Sequence, residues 1–220
     1  DEIETEGSDW AKLGGLVSGE LSSWWQVTLD FLSIVTSVWP DLLAERDQSN
    51  PAAHRSALIR LEAERLRRSP PSGPVIAAGS TGSIPATAEL LAAIARLPRG
   101  AVVLPGLDAT LDEAAFEAIT AADLRASVLG HPQYGLAKLI GKIGILRGDV
   151  EELGTASPAL VRRAAIVGEA LRPAETTDAW TEKRGSVSDA EIAEALAGVT
   201  LLEAAHERDE AAAIAIALRE

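Results

Sequence analysis

The chain has 220 residues, 47% of them hydrophobic and 24% charged, with a net charge of −13 and neither cysteine nor methionine. Such proportions suit a globular protein with one sizeable core, or one domain plus part of another, and the acidic balance argues against independent binding to nucleic acid, because phosphate is repelled on average. Without cysteine there is no disulfide, thiolate zinc site or cysteine-held iron–sulfur cluster within these residues, and a reducing cytoplasm is the expected location.

No continuous apolar run reaches the ~20 residues that a membrane helix needs, so no membrane partner is expected. The acidic opening DEIETEGSD is not a secretory signal. With no Met at its start and a helical pattern still running at Ala217-Leu218-Arg219-Glu220, the chain is expected to be a segment of a longer protein.

Residues 1–19 are acidic and irregular. Leu21 to Trp39 has a helical pattern in which Ser22, Gln26, Asp30, Ser33 and Ser37 form one narrow polar stripe. Nearly everything else there is apolar, which predicts a helix buried on most sides, with Trp24, Trp25 and Trp39 in the core rather than stacked on nucleic-acid bases. Pro40 is expected to end or kink it. Asn50-Pro51 supplies a side-chain cap and a proline at the first helical position, and the helix runs to about Arg68. That helix carries Arg55, Arg60, Arg65, Arg67 and Arg68 against Glu62 and Glu64, the densest basic concentration in the chain. It reads either as a solvated face with i,i+3 and i,i+4 pairs or, through Arg55, Arg60, Arg65 and Arg68, as a contact for DNA phosphate or an acidic partner.

Ser69-Pro70-Pro71-Ser72-Gly73-Pro74 is a linker, closing a helical subdomain at 1–74. Beyond it, Val75–Ala78 and Ala101–Leu104 are short apolar runs on either side of a helical pattern from Pro85 to Leu97. Strand, helix and strand within about 30 residues predict parallel strands with a right-handed crossover, and a parallel sheet is ordinarily covered on both faces. The loop Gly79-Ser80-Thr81-Gly82-Ser83 sits where open α/β sheets bind ligands, at the carboxyl end of a strand and the start of a helix. It is a candidate anion or DNA contact. It is not a P-loop, because the pattern needs a Lys and none occurs between Lys12 and Lys138. The ordinary alternative is a loop shaped to fit a neighbouring element.

Further on, Thr110 and Glu113 read as a capping box opening a helix to about Leu124. Asp108 and Asp112 stand at a strand end, where acids can hold Mg²⁺, although Asp112 more simply favours its helix dipole. Pro132 opens a helix with Leu136, Leu139, Ile140 and Ile143 on one face, ending at Gly144. Ser157-Pro158 opens another to Leu171, and Ser188 with Glu191 forms a second capping box. Val199 to Glu203 reads as a third strand and Glu207 to Arg219 as a final helix. The organisation expected is a core at 75–198 with a helical insertion, and at 199–220 the beginning of a further domain. His54, His131 and His206 are widely separated, and no nucleophile elbow is present. No catalytic or metal-binding residue is assigned.

The run VIAAGSTGSIPATAELLAAIARLPRGAVVLPGLD, from Val75 to Asp108, resembles the B subunit (AddB) of bacterial AddAB-type helicase–nucleases. The likeness continues at His131-Pro132-Gln133-Tyr134-Gly135-Leu136, at Glu169 to Trp180 (EALRPAETTDAW), and at Val199 to Glu203 with Glu207 to Ala211; Trp24-Trp25 and Trp39-Pro40 are similar too. It covers most of the chain, and GSTGSIPAT is its most specific part. The resemblance implies an inactivated superfamily I helicase-like region, within a P-loop NTPase type of fold, of a subunit that repairs double-strand breaks for homologous recombination in the bacterial cytoplasm. It also implies an AddA-like partner subunit, contact with DNA through the parent complex, no cofactor in this segment, and a nuclease domain outside it. No family catalytic residue maps onto these positions. The expected fold is therefore α/β, mostly helical, with a small parallel sheet of about three strands. Two other functions remain open on the residues alone: a stand-alone phosphate- or nucleotide-binding enzyme using 79–83, and a helical module docking a partner through 51–68.

Overall fold

The computed structural model describes residues 5–8, 12, 22–120 and 126–219, and the side chains of these except 22–24, 126 and 127. The chain divides into two compact units, one of residues 1–152 with 173–176, the other of 153–172 with 177–220.

The first unit begins with a long helical run. Helix α1 (Ser22–Ser33) passes through a π-helical turn (Ile34–Val38) into α2 (Trp39–Glu45). The π turn sits immediately before Pro40, where the missing N–H and the ring would disturb an ordinary helical ladder; the Trp39 N–H reaches back to the Ile34 carbonyl instead. Pro40 thus does not end the run. The burial expected of this helix is not found. Trp25–Glu45 is 21 residues long with a mean hydropathy of 1.4, long and apolar enough to cross a membrane by those two measures alone. It is also uncovered: Val27 and Phe31 are each 66% exposed, and Trp39, expected in the core, is 45% exposed. The side chain of Trp24 lies outside the described residues.

Helix α3 (Pro51–Arg68) starts as its sequence predicts, with the Asn50 side chain accepting from the Ala52 N–H at 2.9 Å and proline at the first position. Ala52, Ser56, Ala63 and Leu66 are buried, a helical-period stripe that packs on helix α4 (Pro85–Ala95). Strands β1 (Val75–Ala78) and β2 (Gly100–Val103) are parallel, in register Val75 to Gly100 through Ala78 to Val103, with α4 as the crossover. Glycine is required at 100, since a Cβ there would lie 1.8 Å from the Ile94 carbonyl oxygen at the end of α4.

Two strands make up the sheet among the described residues, and not three. Val199–Glu203 is irregular and exposed, with Leu201 at 84%. Nor is the sheet covered on both faces. Ala77 and Val102 pack on Leu91, Ala92, Leu139 and Ile143, whereas Ile76, Ala78 and Ala101 are exposed on the opposite face.

Helix α5 (Glu113–Thr120), the short α6 (Ala126–Leu129) and α7 (Tyr134–Ile143) follow. All four apolar positions read on one face of α7 are buried. Leu139 and Ile143 close the sheet side, while Ala137 and Ile140 join Leu111, Ala115, Phe116 and Ile119 in a second cluster, so α7 is the wall between two halves of one core. Arg96 holds its far end, donating to the Ile143 carbonyl at 3.0 Å.

The second unit comprises α8 (Pro158–Ala170), α9 (Trp180–Gly185), α10 (Asp189–Ala195) and α11 (Glu207–Ala217). The predicted capping box at α10 is formed: the Glu191 N–H donates to the Ser188 hydroxyl at 3.3 Å, and the Ser188 N–H donates to the Glu191 carboxylate at 2.9 Å. The hydrogen bond from the Ser188 hydroxyl, reinforced by that N–H, holds the Glu191 carboxyl below the usual carboxylate range. Arg163 holds the end of α10, donating to the Ala195 carbonyl at 2.7 Å and to that of Ala197, just beyond the helix, at 2.6 Å.

Candidate functional site

The loop at 79–83 lies between the end of β1 and the start of α4. Its Gly79 N–H donates to the Val103 carbonyl at 3.1 Å, continuing the ladder one residue past the strand. Gly82 has a left-handed φ of 63° and is buried; a Cβ there would meet the Leu139 methyls at 3.0 and 3.1 Å and Leu91 at 3.3 Å. Its N–H faces the Ser80 hydroxyl at 3.3 Å. The second glycine therefore serves close packing of the loop on α7 and α4. Ser83 and Thr81 are exposed, and α4 begins at Pro85 with no side chain accepting from its first turn. What the site offers an anion is confined to backbone donors and two hydroxyls, with no cation within the loop.

The α3 arginines divide. Arg60 lies 3.6 Å from Glu89 on α4, and Arg67 donates to the Glu89 carbonyl at 3.4 Å. Arg65 makes a two-pronged pair with Glu62, both bonds 2.7 Å, which lowers the Glu62 pKa from its ordinary value and raises that of Arg65. Arg68 pairs with Glu64. Arg55 has no ion-pair partner among the described residues. Arg65 and Arg68 thus make the i,i+3 and i,i+4 pairs of a solvated face, and such exposed pairs contribute little each. No hydrogen bond joins the loop to these arginines among the described residues.

At the carboxyl end of β2 the structure assembles a polar knot that the sequence did not reveal. Gln133 bridges the turn after the strand: its side-chain oxygen accepts from the Asp108 N–H at 2.9 Å, and its side-chain amide donates to the Gly106 carbonyl at 3.0 Å. The Asp108 carboxylate accepts from the Thr110 N–H at 2.7 Å, its hydroxyl at 2.8 Å and the Leu111 N–H at 3.0 Å. Asp112 accepts from the Ala115 N–H at 3.0 Å and is the cap of α5. The predicted box of Thr110 with Glu113 is therefore displaced: Asp108 takes Thr110, and Glu113 turns to Arg147 at 2.9 Å. Arg147 also donates to the Leu111 carbonyl at 2.7 Å and lies 4.5 Å above the Phe116 ring. Both aspartates accept from backbone N–H groups, and no group of three or more metal-ligating side chains occurs among the described residues.

Glu169, Arg172 and Trp180 of the EALRPAETTDAW stretch make a comparable knot in the second unit. Glu169 takes both prongs of Arg172 at 2.7 Å, and its carbonyl accepts from the Trp180 indole at 2.8 Å. Asp108 and Gln133 in the first unit and Glu169, Arg172 and Trp180 in the second thus serve as turn-holding ties. No family model, curated protein or solved structure matches the chain.

Proposed function

We propose that this chain is a non-catalytic, inactivated helicase-like segment of an AddB-type subunit, supporting DNA contact and assembly of a helicase–nuclease that repairs double-strand breaks in the bacterial cytoplasm. The observation that carries the reading is the parallel strand–loop–helix–strand unit whose loop occupies the phosphate-binding position but has no Lys and turns its second glycine into the core against Leu139. The segment needs no cofactor on this reading. Its partner is an AddA-like subunit, and DNA reaches it through the assembled complex. The stand-alone phosphate enzyme is disfavoured by the same loop.

Two measurements test it. Calorimetry of the chain with Mg-ATP is expected to give no heat of binding; micromolar binding overturns the inactivated reading. In the assembled complex, reversing Arg60, Arg65 and Arg68 to Glu is expected to weaken DNA binding and flatten its dependence on salt, since each neutralised phosphate releases counterion. The helix itself survives, because the pairs lost with Glu62 and Glu64 are exposed and the Arg60–Glu89 contact, at 3.6 Å, is half-exposed. Unchanged DNA affinity across a salt series removes α3 from the DNA path.

A further inference from the structure

The arginines of α3 are divided between two tasks. Arg60 and Arg67 turn to Glu89 of α4, the first 3.6 Å from its carboxylate and the second donating to its carbonyl at 3.4 Å, so they serve the packing of two helices. Arg65 and Arg68 stand on the side of α3 away from its buried stripe of Ala52, Ser56, Ala63 and Leu66, with side chains 55% and 74% exposed. Each of these two is met by a carboxylate of its own helix. Glu62 takes two prongs of Arg65 at 2.7 Å, and Glu64 takes Arg68 from four residues back.

A guanidinium reads a carboxylate and a phosphate oxyanion in the same way, with parallel N–H donors to two oxygens. An arginine whose charge is already met must release its carboxylate, or bring it up against the phosphate, before it takes the new anion. Either course lowers affinity. The cost is small here, because Glu62 and Glu64 are themselves 46% and 47% exposed and water screens both pairs. The pair of Arg172 with Glu169 shows the opposite case: with its arginine side chain 1% exposed, it is built to stay closed. The α3 pairs are built to be exchanged.

We propose that Glu62 and Glu64 are internal stand-ins for phosphate, which hold the outward arginines of α3 and set a low affinity for the DNA backbone. This rests on the DNA contact given to α3 above and adds what regulates it. The face engages phosphate where the rest of the complex brings it close, and passes over polyanions met in free solution. A displaced carboxylate recovers counterions, so contact through Arg65 and Arg68 releases fewer ions in net than two unpaired arginines do, and its salt dependence is the shallower for it.

In the assembled complex, Glu62→Gln together with Glu64→Gln is expected to tighten binding of duplex DNA about three- to tenfold at low salt, the scale of two exposed pairs. The fall of affinity across a salt series is expected to steepen. Glutamine is as good a helix former as glutamate, and circular dichroism of the full chain verifies that α3 remains. Glu151→Gln with Glu152→Gln removes the same two charges at exposed positions outside α3 and is expected to change affinity less than about twofold. If reversing Arg60, Arg65 and Arg68 weakens binding while the Glu62 and Glu64 variant binds as wild type does, the DNA contact stands and the stand-in role is overturned. An equal gain from the Glu151 and Glu152 variant overturns it too, by making the effect one of net charge. Arginine reversal without effect removes DNA from α3, and the stand-in role with it. Tighter assembly of the subunits at unchanged DNA affinity gives the face to an acidic protein and likewise overturns the proposal.

Discussion

Leu139→Ala is expected to destabilise the first unit by about 3 kcal/mol, the usual cost of emptying a buried leucine site that cannot collapse. Leu139 is 1% exposed, belongs with Leu91 of α4 to the cluster on which Ala77 and Val102 of the sheet pack, and has its methyls 3.0 and 3.1 Å from where a Cβ at Gly82 would lie. The loss is read from hydrogen exchange along α7, because a chain of two units need not unfold in one step. Gly82→Ala supplies the second arm. It forces a side chain into a left-handed backbone at φ 63° and against the Leu139 methyls. In the Leu139→Ala background the two closest contacts disappear and the backbone strain and the Leu91 methyl at 3.3 Å remain, so the two losses are expected to be less than additive. A Leu139→Ala loss below about 1 kcal/mol would mean that α7 does not brace the loop.

The parts of the fold readable in the sequence are those set by residues close together in the chain. The βαβ unit was legible because each run carries its own punctuation, Pro74, Gly79, Pro85 and Gly100, and the structure moves the boundaries by one or two residues. The Asn50 cap of α3 and the Ser188–Glu191 box were legible for the same reason. What failed needed knowledge of a distant partner. Val199–Glu203 has the composition of a strand, but strand propensity takes effect only where another strand offers its edge. The apolar perimeter of α1 says that something ought to cover it, without saying what, so burial was read where exposure is found. Thr110 and Asp112 both suit a cap, and the choice between them was made by Asp108, whose carboxylate reaches Thr110 first. Arg147 gave no local signal, since its contacts with Leu111 and Glu113 span 36 and 34 residues.

Replacing that arginine is expected to have the second large effect. Arg147→Met should destabilise the first unit by about 2–3 kcal/mol, since it leaves the carbonyl of the buried Leu111 without its charged donor and removes the cation from above Phe116. The carboxylate contributes much less. Glu113 is 67% exposed while the Arg147 side chain is 14% exposed, so water screens one end of the pair, and Glu113→Gln should cost under about 1 kcal/mol. Arg147→Lys separates charge from shape. An ammonium keeps the charge but cannot reach the Leu111 carbonyl and the Glu113 carboxylate as a planar fork, so it is expected to recover less than half of the loss. Urea unfolding followed by exchange at α5 checks all three. Glu113→Gln costing as much as Arg147→Met would make the surface ion pair the tie. A full recovery by Lys would make it charge alone. The expected order, Met worst, Lys between and Gln mildest, identifies the fork between a backbone carbonyl and an aromatic ring as what fastens α5 to the turn after β2.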